Sequence, residues 1–156
     1  MAQDTPDIRP ADPDDPAAQS CLAAYFQLLA QTVPGVSTGL FPLPDPNAQH
    51  YRLPHGAFLI AWSNTTPLGC VSLRRLTPEL AEVKRLWVAP AARGHGLARR
   101  LMLAIEDQAR SLSYTRLNLD TNAALTAAIT LYETTGWTPT APSTGFPSTH
   151  WFQKTL

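Results

Sequence analysis

The segment with the most chemical content is Leu86-Trp87-Val88-Ala89-Pro90-Ala91-Ala92-Arg93-Gly94-His95-Gly96-Leu97-Ala98. Read physically, a strand ends near Val88, a short loop turns, and two glycines separated by one residue lead directly into a helix. Missing β-carbons let the backbone at Gly94 and Gly96 close on a ligand. The first N–H groups of the helix lack internal partners and point outward from the positive end of its dipole. Such a cradle takes an anion, and a diphosphate is its natural guest. Arg93, Arg99 and Arg100 flank it and can add charge-assisted contacts. The backbone of His95 is expected to share in the cradle while its side chain stays incidental.

Other phosphate motifs fit less well. A Rossmann fingerprint wants a third small residue after G-x-G-x-x, but Arg99 follows Ala98, and a strand meander precedes the loop. The Walker pattern G-x-x-x-x-G-K-[ST] is absent. Gly35-Val36-Ser37-Thr38-Gly39 spells the nucleophile elbow of serine hydrolases, yet Pro34, Pro42 and Pro44 bracket it where a strand and a helix are required. Asn64-Thr65-Thr66 spells a glycosylation sequon and reads as a turn. His50, His55 and His150 lack ligand spacing, so no metal is expected. Cys21 and Cys70 form neither a disulfide framework nor a C-x-x-C motif and read as packing residues.

The elements that position the cradle follow from periodicity. Ala17 to Val33 carries Cys21, Ala24 and Tyr25, Leu28 and Leu29 at helical spacing, after Asp14-Asp15-Pro16, which suits a helix start. Pro34 to Pro54 is proline-rich and aperiodic, an excursion with at most short helical turns. Ala57 to Trp62, Cys70 to Leu73 and Ala81 to Val88 read as three strands of a meander. Leu97, Leu101, Ile105, Ala109 and Leu112 then fall on one helical stripe. Arg116 to Asp120 alternates as a strand, and Asn122 to Thr135 returns to helical spacing, ending at Gly136. Two strands, from Trp137 and over His150 to Leu156, close the chain around a proline-rich loop. The expected fold is a mixed α/β sheet, antiparallel in its first half, with one central strand-helix-strand crossover.

Composition bounds the function. The 156 residues are 44% apolar and 15% charged, which argues for a single packed domain over residues 1–156. Twelve basic and twelve acidic side chains cancel, so nothing global recruits nucleic acid or an anionic membrane. No apolar run is long enough to span a bilayer, and Met1-Ala2-Gln3-Asp4 does not begin like an export signal, so a cytoplasmic location is expected.

Ala81-Glu82-Val83-Lys84-Arg85-Leu86-Trp87-Val88-Ala89-Pro90 followed by Arg93-Gly94-His95-Gly96-Leu97-Ala98 resembles the strand and R-G-x-G-x-[GA] motif of the GNAT family of acyl-coenzyme A-dependent acetyltransferases. Ala128 to Trp137 is similar to that family's A-x-x-L-Y-x-x-x-G-[FW] signature, Leu119-Asp120-Thr121 looks like the L-D-T strand end of one of its branches, and Ile8-Arg9-Pro10-Ala11 is similar to a common opening. The resemblance implies a GNAT-like acyltransferase fold that moves an acetyl group from acetyl-coenzyme A to a primary amine of a small molecule or peptide.

The resemblance also implies roles. Leu86, Trp87, Val88, Arg93, Gly94, His95, Gly96, Leu97, Ala98 and Arg99 would hold the cofactor. Asn122 would join them, although the family's asparagine position holds Leu125 here. An alkylammonium, with an ordinary pKa of about 10.4, must lose a proton before it attacks. The family often uses a glutamate on this strand, here Glu82, with pairing to Lys84 or Arg75 as the plainer role. Tyr132 matches the general acid that protonates the departing thiolate, and the amide of Val88 or a neighbour would stabilise the thioester oxygen. The acceptor would lie between residues 40–52 and 139–150, where Asp45 reads as a solvated acid. Two alternatives stay open: a coenzyme A-binding module without catalysis, and an interaction subunit bearing an aromatic patch of Phe146, Trp151 and Phe152. Pairing of terminal strands in a homodimer is a further possibility.

Overall fold

A computed structural model describes residues 5–156; the leader-like question posed by residues 1–4 lies outside them. The elements are β1 (Asp7–Pro10), α1 (Pro16–Thr32), short 3₁₀ turns at Thr38–Leu40 and Ala48–Tyr51, β2 (Ala57–Ser63), β3 (Thr66–Arg75) and β4 (Leu80–Val88). A third 3₁₀ turn at Pro90–Ala92 leads to α2 (Leu97–Ser111), followed by β5 (Arg116–Thr121), α3 (Thr126–Thr134), β6 (Thr138–Pro139) and β7 (His150–Thr155). The strands form one sheet in the order β1-β2-β3-β4-β5-β7-β6. Every neighbouring pair is antiparallel except β4 and β5, the two strands that flank α2. This is the mixed α/β sheet with its single crossover.

Three boundaries depart from the sequence reading. β1 was not expected as a strand, because four residues ending in proline carry too little alternation to register; it pairs with β2 from Asp7 opposite Trp62 to Pro10 opposite Leu59. β3 begins at Thr66, since Asn64 adopts a left-handed φ of 53° and closes the β2–β3 hairpin in two residues. α3 begins at Thr126 rather than Asn122. The Asn122 Oδ1 accepts the Ala124 N–H at 2.8 Å and the Thr149 Oγ1 accepts the Ala123 N–H at 2.8 Å, so local side chains claim the backbone that a helix would need. At its far end Gly136 has φ 90°, the left-handed stop expected there.

The sheet is covered on both faces. Against one face α2 buries Leu97, Leu101, Ile105 and Ala109, the anticipated stripe, together with Met102 and Glu106. On the other face α1 buries Cys21, Leu22, Phe26 and Leu29 against Phe58, Ile60 and Cys70. The α1 stripe is thus rotated from the expected one. Phe26 takes the core position, and Tyr25 and Leu28 are left half-buried at the rim. Both cysteines are free and buried. Among the described residues no helix is long and apolar enough to cross a membrane.

The charge buried in α2 is matched across the core. Glu106 is 2% exposed and its carboxylate receives the Lys154 ammonium at 2.7 Å; the same ammonium donates to the Thr135 carbonyl at 2.8 Å. One lysine on β7 therefore ties α2 to the end of α3. Removing it strands a carboxylate in the core, so Lys154→Ala is expected to cost about 3–5 kcal/mol in chemical denaturation. A loss below about 1 kcal/mol would show that the pair does not hold these elements together.

Candidate active site

The site arises where the sheet comes apart. β4 and β5 are paired only from Leu80 opposite Arg116 to Glu82 opposite Asn118, although β4 continues to Val88 and β5 to Thr121. The cause is on β4. Between the pairs Ser72–Lys84 and Cys70–Trp87, the single residue Val71 faces two, Arg85 and Leu86, and Arg85 sits at φ 62°. An extra residue of this kind bends a strand and increases its twist. The carboxyl ends of the two parallel strands thus diverge into a wedge, the place where ligands enter open α/β sheets.

One arm of the wedge is a cleft of about 470 Å³ lined by Leu86, Trp87 and Val88 of β4, by Arg93, Gly94, Gly96, Leu97, Ala98 and Arg99, and by Ala124 to Ala128 and Leu131. Gly94 and Gly96 have φ values of 81° and 78°. A β-carbon at either would meet nothing within 4 Å, so backbone conformation rather than packing requires glycine there, and the loop presents an open face. Gly96 is the cap residue of α2 and supplies no side-chain bond, which leaves the first N–H groups of the helix free. The Arg93 Nε donates to the Val88 carbonyl at 3.0 Å and braces the loop against the strand. These residues can hold a diphosphate.

Three residues expected at this cleft make contacts outside its lining. His95 lies outside it, in a separate depression beside Pro6, Ser63 and Arg100. Arg100 is spent on the Pro6 carbonyl, to which it donates at 2.9 Å. Asn122 does not line the cleft either; its Nδ2 donates to the Pro147 carbonyl at 2.7 Å while its Oδ1 holds the turn before α3, so the residue shapes a loop.

The other arm is a cavity of about 320 Å³, and it shares Tyr25, Leu86, Leu125 and Ala128 with the first. Its walls are Phe26 and Phe41, Lys84 and Arg85 of β4, Asp120 and Thr121 of β5, Tyr132, and the loop from Thr144 to Ser148. Tyr132 therefore stands beside the junction of the two arms. Its ring meets Trp137 edge-on at a centroid distance of 6.1 Å and Phe152 at 5.8 Å. Burial, reinforced by Tyr25 and the negative charge of Asp120, pushes its phenol well above the ordinary value. The same forces act on Tyr25: burial first, then Cys70 and Asp120, with Arg85 opposing. Tyr132 is thus a neutral O–H donor throughout the physiological range.

Glu82 lines neither arm. It is 5% exposed and receives Arg74 at 3.0 Å and Lys84 at 3.1 Å, so its environment is that of a counter-ion; Arg74 rather than Arg75 is its second partner. Asp45 is not solvated but 8% exposed and bound to the Arg85 guanidinium. Phe152 is buried and Phe146 lines the second cavity, so the three aromatics form no common surface patch. Arg85, Tyr25 and Asp120 were not singled out as site residues. The first two had no sequence signal, since one depends on a bulge and the other on the rotation of α1. Asp120 carried a weak one, an acid at the carboxyl end of a crossover strand.

A wedge between parallel strands, with an uncapped helix at one arm and a phenol at the junction, is an arrangement that can bind an anionic carrier beside a proton donor. The chain belongs to the acetyltransferase (GNAT) family, whose model matches residues 23–137. It is 33% identical over 104 residues to the uncharacterized N-acetyltransferase YjgM of Escherichia coli K12, a match covering 62% of each chain and so less than two thirds of that relative's length. Solved structures share the whole fold. An acetyltransferase from Streptococcus agalactiae superposes with a TM-score of 0.78 at 20% identity, covering 97% of this chain and 99% of that one. The PaiA N-acetyltransferase of Thermoplasma acidophilum, solved with coenzyme A, gives 0.76 at 15% identity, covering 98% and 100%.

The raised phenols make a prediction about alkaline stability. Below about pH 10 a phenol is neutral in both folded and unfolded chains and contributes no slope. As pH rises further the unfolded chain ionises first, so stability falls. Tyr132→Phe should flatten that fall by up to about 1.4 kcal/mol per pH unit in denaturation curves recorded above pH 10. An unchanged slope would mean that Tyr132 ionises freely in the folded protein.

Proposed function

We propose that this protein transfers an acetyl group from acetyl-coenzyme A to a primary amine by direct attack in a ternary complex. The observation that carries the reading is that two cavities of different chemistry, one an open anion cradle and one walled by aromatics, meet at the splay of β4 and β5 beside Tyr132. Family membership and the coenzyme A seen in a structural relative support acetyl-coenzyme A as the donor. Acetyl-coenzyme A supplies an activated thioester; the remaining tasks fall to this chain.

The free N–H groups at the start of α2, with Gly94, Gly96 and Arg99, would hold the diphosphate. The edge of β4 left unpaired beyond Glu82 offers backbone groups near Val88 to the pantetheine arm and to the thioester oxygen, where negative charge develops. The amine, already neutral, attacks the carbonyl carbon, the carbon–sulfur bond breaks, Tyr132 donates its proton to the departing thiolate, and the Tyr132 oxygen recovers a proton from the nitrogen. Glu82, enclosed by Arg74 and Lys84, serves in this scheme to fix β4 against β3 and is not the base that was expected from the resemblance.

Purified protein given acetyl-coenzyme A and a panel of amines should release free thiol, and coenzyme A at a hundred times its dissociation constant should stabilise the fold by about 2.7 kcal/mol. Tyr132→Phe should lower kcat by about 10²–10⁴ while leaving that stabilisation intact. Full activity in the variant would remove Tyr132 as the acid. Absence of stabilisation by coenzyme A would remove the donor assignment itself.

A further inference from the structure

The second cavity holds two charged groups whose bonding is incomplete. The Arg85 guanidinium is 14% exposed, with the Tyr51 ring 4.7 Å and the Phe26 ring 5.4 Å from its central carbon. Its Nη1 is bound to Asp45. Among the described residues, its Nε and Nη2 groups have no hydrogen-bond partner, and neither is sealed in protein. A guanidinium fork held rigid by two rings and one carboxylate, with its other donors open to a cavity, is a receptor for a second carboxylate. Asp120 lines the same cavity from β5 and makes no ion pair among the described residues. Its Oδ2 accepts the Thr144 hydroxyl at 2.7 Å, and the same Oγ1 accepts the Trp151 Nε1–H at 2.8 Å, so the carboxylate is oriented but its charge is not neutralised.

We infer that the acceptor is an α-amino acid with an apolar, preferably aromatic, side chain: its carboxylate lies on Arg85, its ammonium on Asp120, and its side chain against Phe41 and Phe146. This deepens, and rests on, the acetyltransferase reading of the same site. Opposite charges line one cavity from two strands, so a zwitterion spanning them satisfies both, whereas a simple amine leaves the Arg85 donors unmatched. The nitrogen's first proton leaves to solvent by way of Asp120. The nitrogen–carbon bond forms as the carbon–sulfur bond breaks, Tyr132 protonates the thiolate, and the nitrogen's second proton returns to the Tyr132 oxygen. One proton is released per turnover.

The test compares phenylalanine, phenylalanine amide and phenethylamine as acceptors at saturating acetyl-coenzyme A, following thiol release. Phenylalanine should be preferred in kcat/KM by about 10- to 100-fold, the value of a charge-assisted hydrogen bond. Arg85→Gln should shrink that preference, lowering kcat/KM for phenylalanine by more than for phenylalanine amide or phenethylamine. Arg85→Lys keeps the charge and its partner Asp45, and it should restore part of the preference if Arg85→Gln proves unstable. Calorimetric binding of phenylalanine to the coenzyme A-loaded protein reads the same contact without chemistry. Acetylation of all three compounds at equal rates, or an equal loss on all three in both Arg85 variants, overturns the carboxylate assignment and leaves the transferase reading standing. Arg85-dependent binding of phenylalanine with no amine acetylated overturns the transferase reading instead. Neither binding nor turnover overturns both.

Discussion

The structure depends on a sheet that is prevented from closing. Parallel strands β4 and β5 have the length to remain paired over six residues, yet pairing stops at Glu82 and Asn118. The extra residue at the Arg85 bulge turns β4 away, and the amides and carbonyls beyond it face a wedge in place of a neighbour. Unpaired backbone groups are costly when buried and useful when a ligand completes them. The anion cradle and the aromatic-walled cavity both open onto this wedge, and a continuous ladder would eliminate the junction between them.

The bulge is held from outside the sheet. A non-glycine residue with positive φ carries local strain, which persists only where its surroundings fix it. Here the Arg85 side chain supplies the fixation: it reaches into the early excursion to bind Asp45, and it lies over rings from that excursion and from α1. The excursion is anchored in turn by Arg52, whose guanidinium donates to the Asp12 and Asp14 carboxylates at 2.8 Å each, and the pairing draws the Asp12 carboxyl below its usual range. A chain of ionic contacts thus runs from the start of α1 through the proline-rich segment to the point where β4 bends. Local backbone geometry at the site is set by residues forty positions away in sequence.

That arrangement explains what could be read from the residues alone. The α2 stripe, the meander, the crossover strand and the glycine loop are local patterns, and each survived in the structure because burial and turn chemistry act over a few neighbouring residues. Failures occurred where distant segments decide the outcome. Asp45 looked like a surface acid because its partner is forty residues downstream. Arg74 rather than Arg75 pairs with Glu82 because β3 places Arg74 directly opposite it, a register that the local sequence does not show. The α1 stripe was misplaced by one residue because Tyr25 and Phe26 are adjacent aromatics, and only the cavity distinguishes the ring it leaves partly uncovered from the one it does not.

The two arms of the wedge differ in kind for the same reason. The polar part of the first arm is made of backbone: free helix N–H groups, left-handed glycines and an unpaired strand edge, all within residues 86–99, while α1 and residues 124–131 add apolar walls. Its anion cradle is thus specified by one contiguous motif. The second arm is made of side chains contributed by α1, the excursion, β4, β5, α3 and the last loop. Changes in the excursion, β5 or the last loop can reshape it without touching the first arm. In the proposed reaction the wedge would separate the two specificities physically: the bulge and α2 would bind the carrier, while the surrounding loops would select the amine.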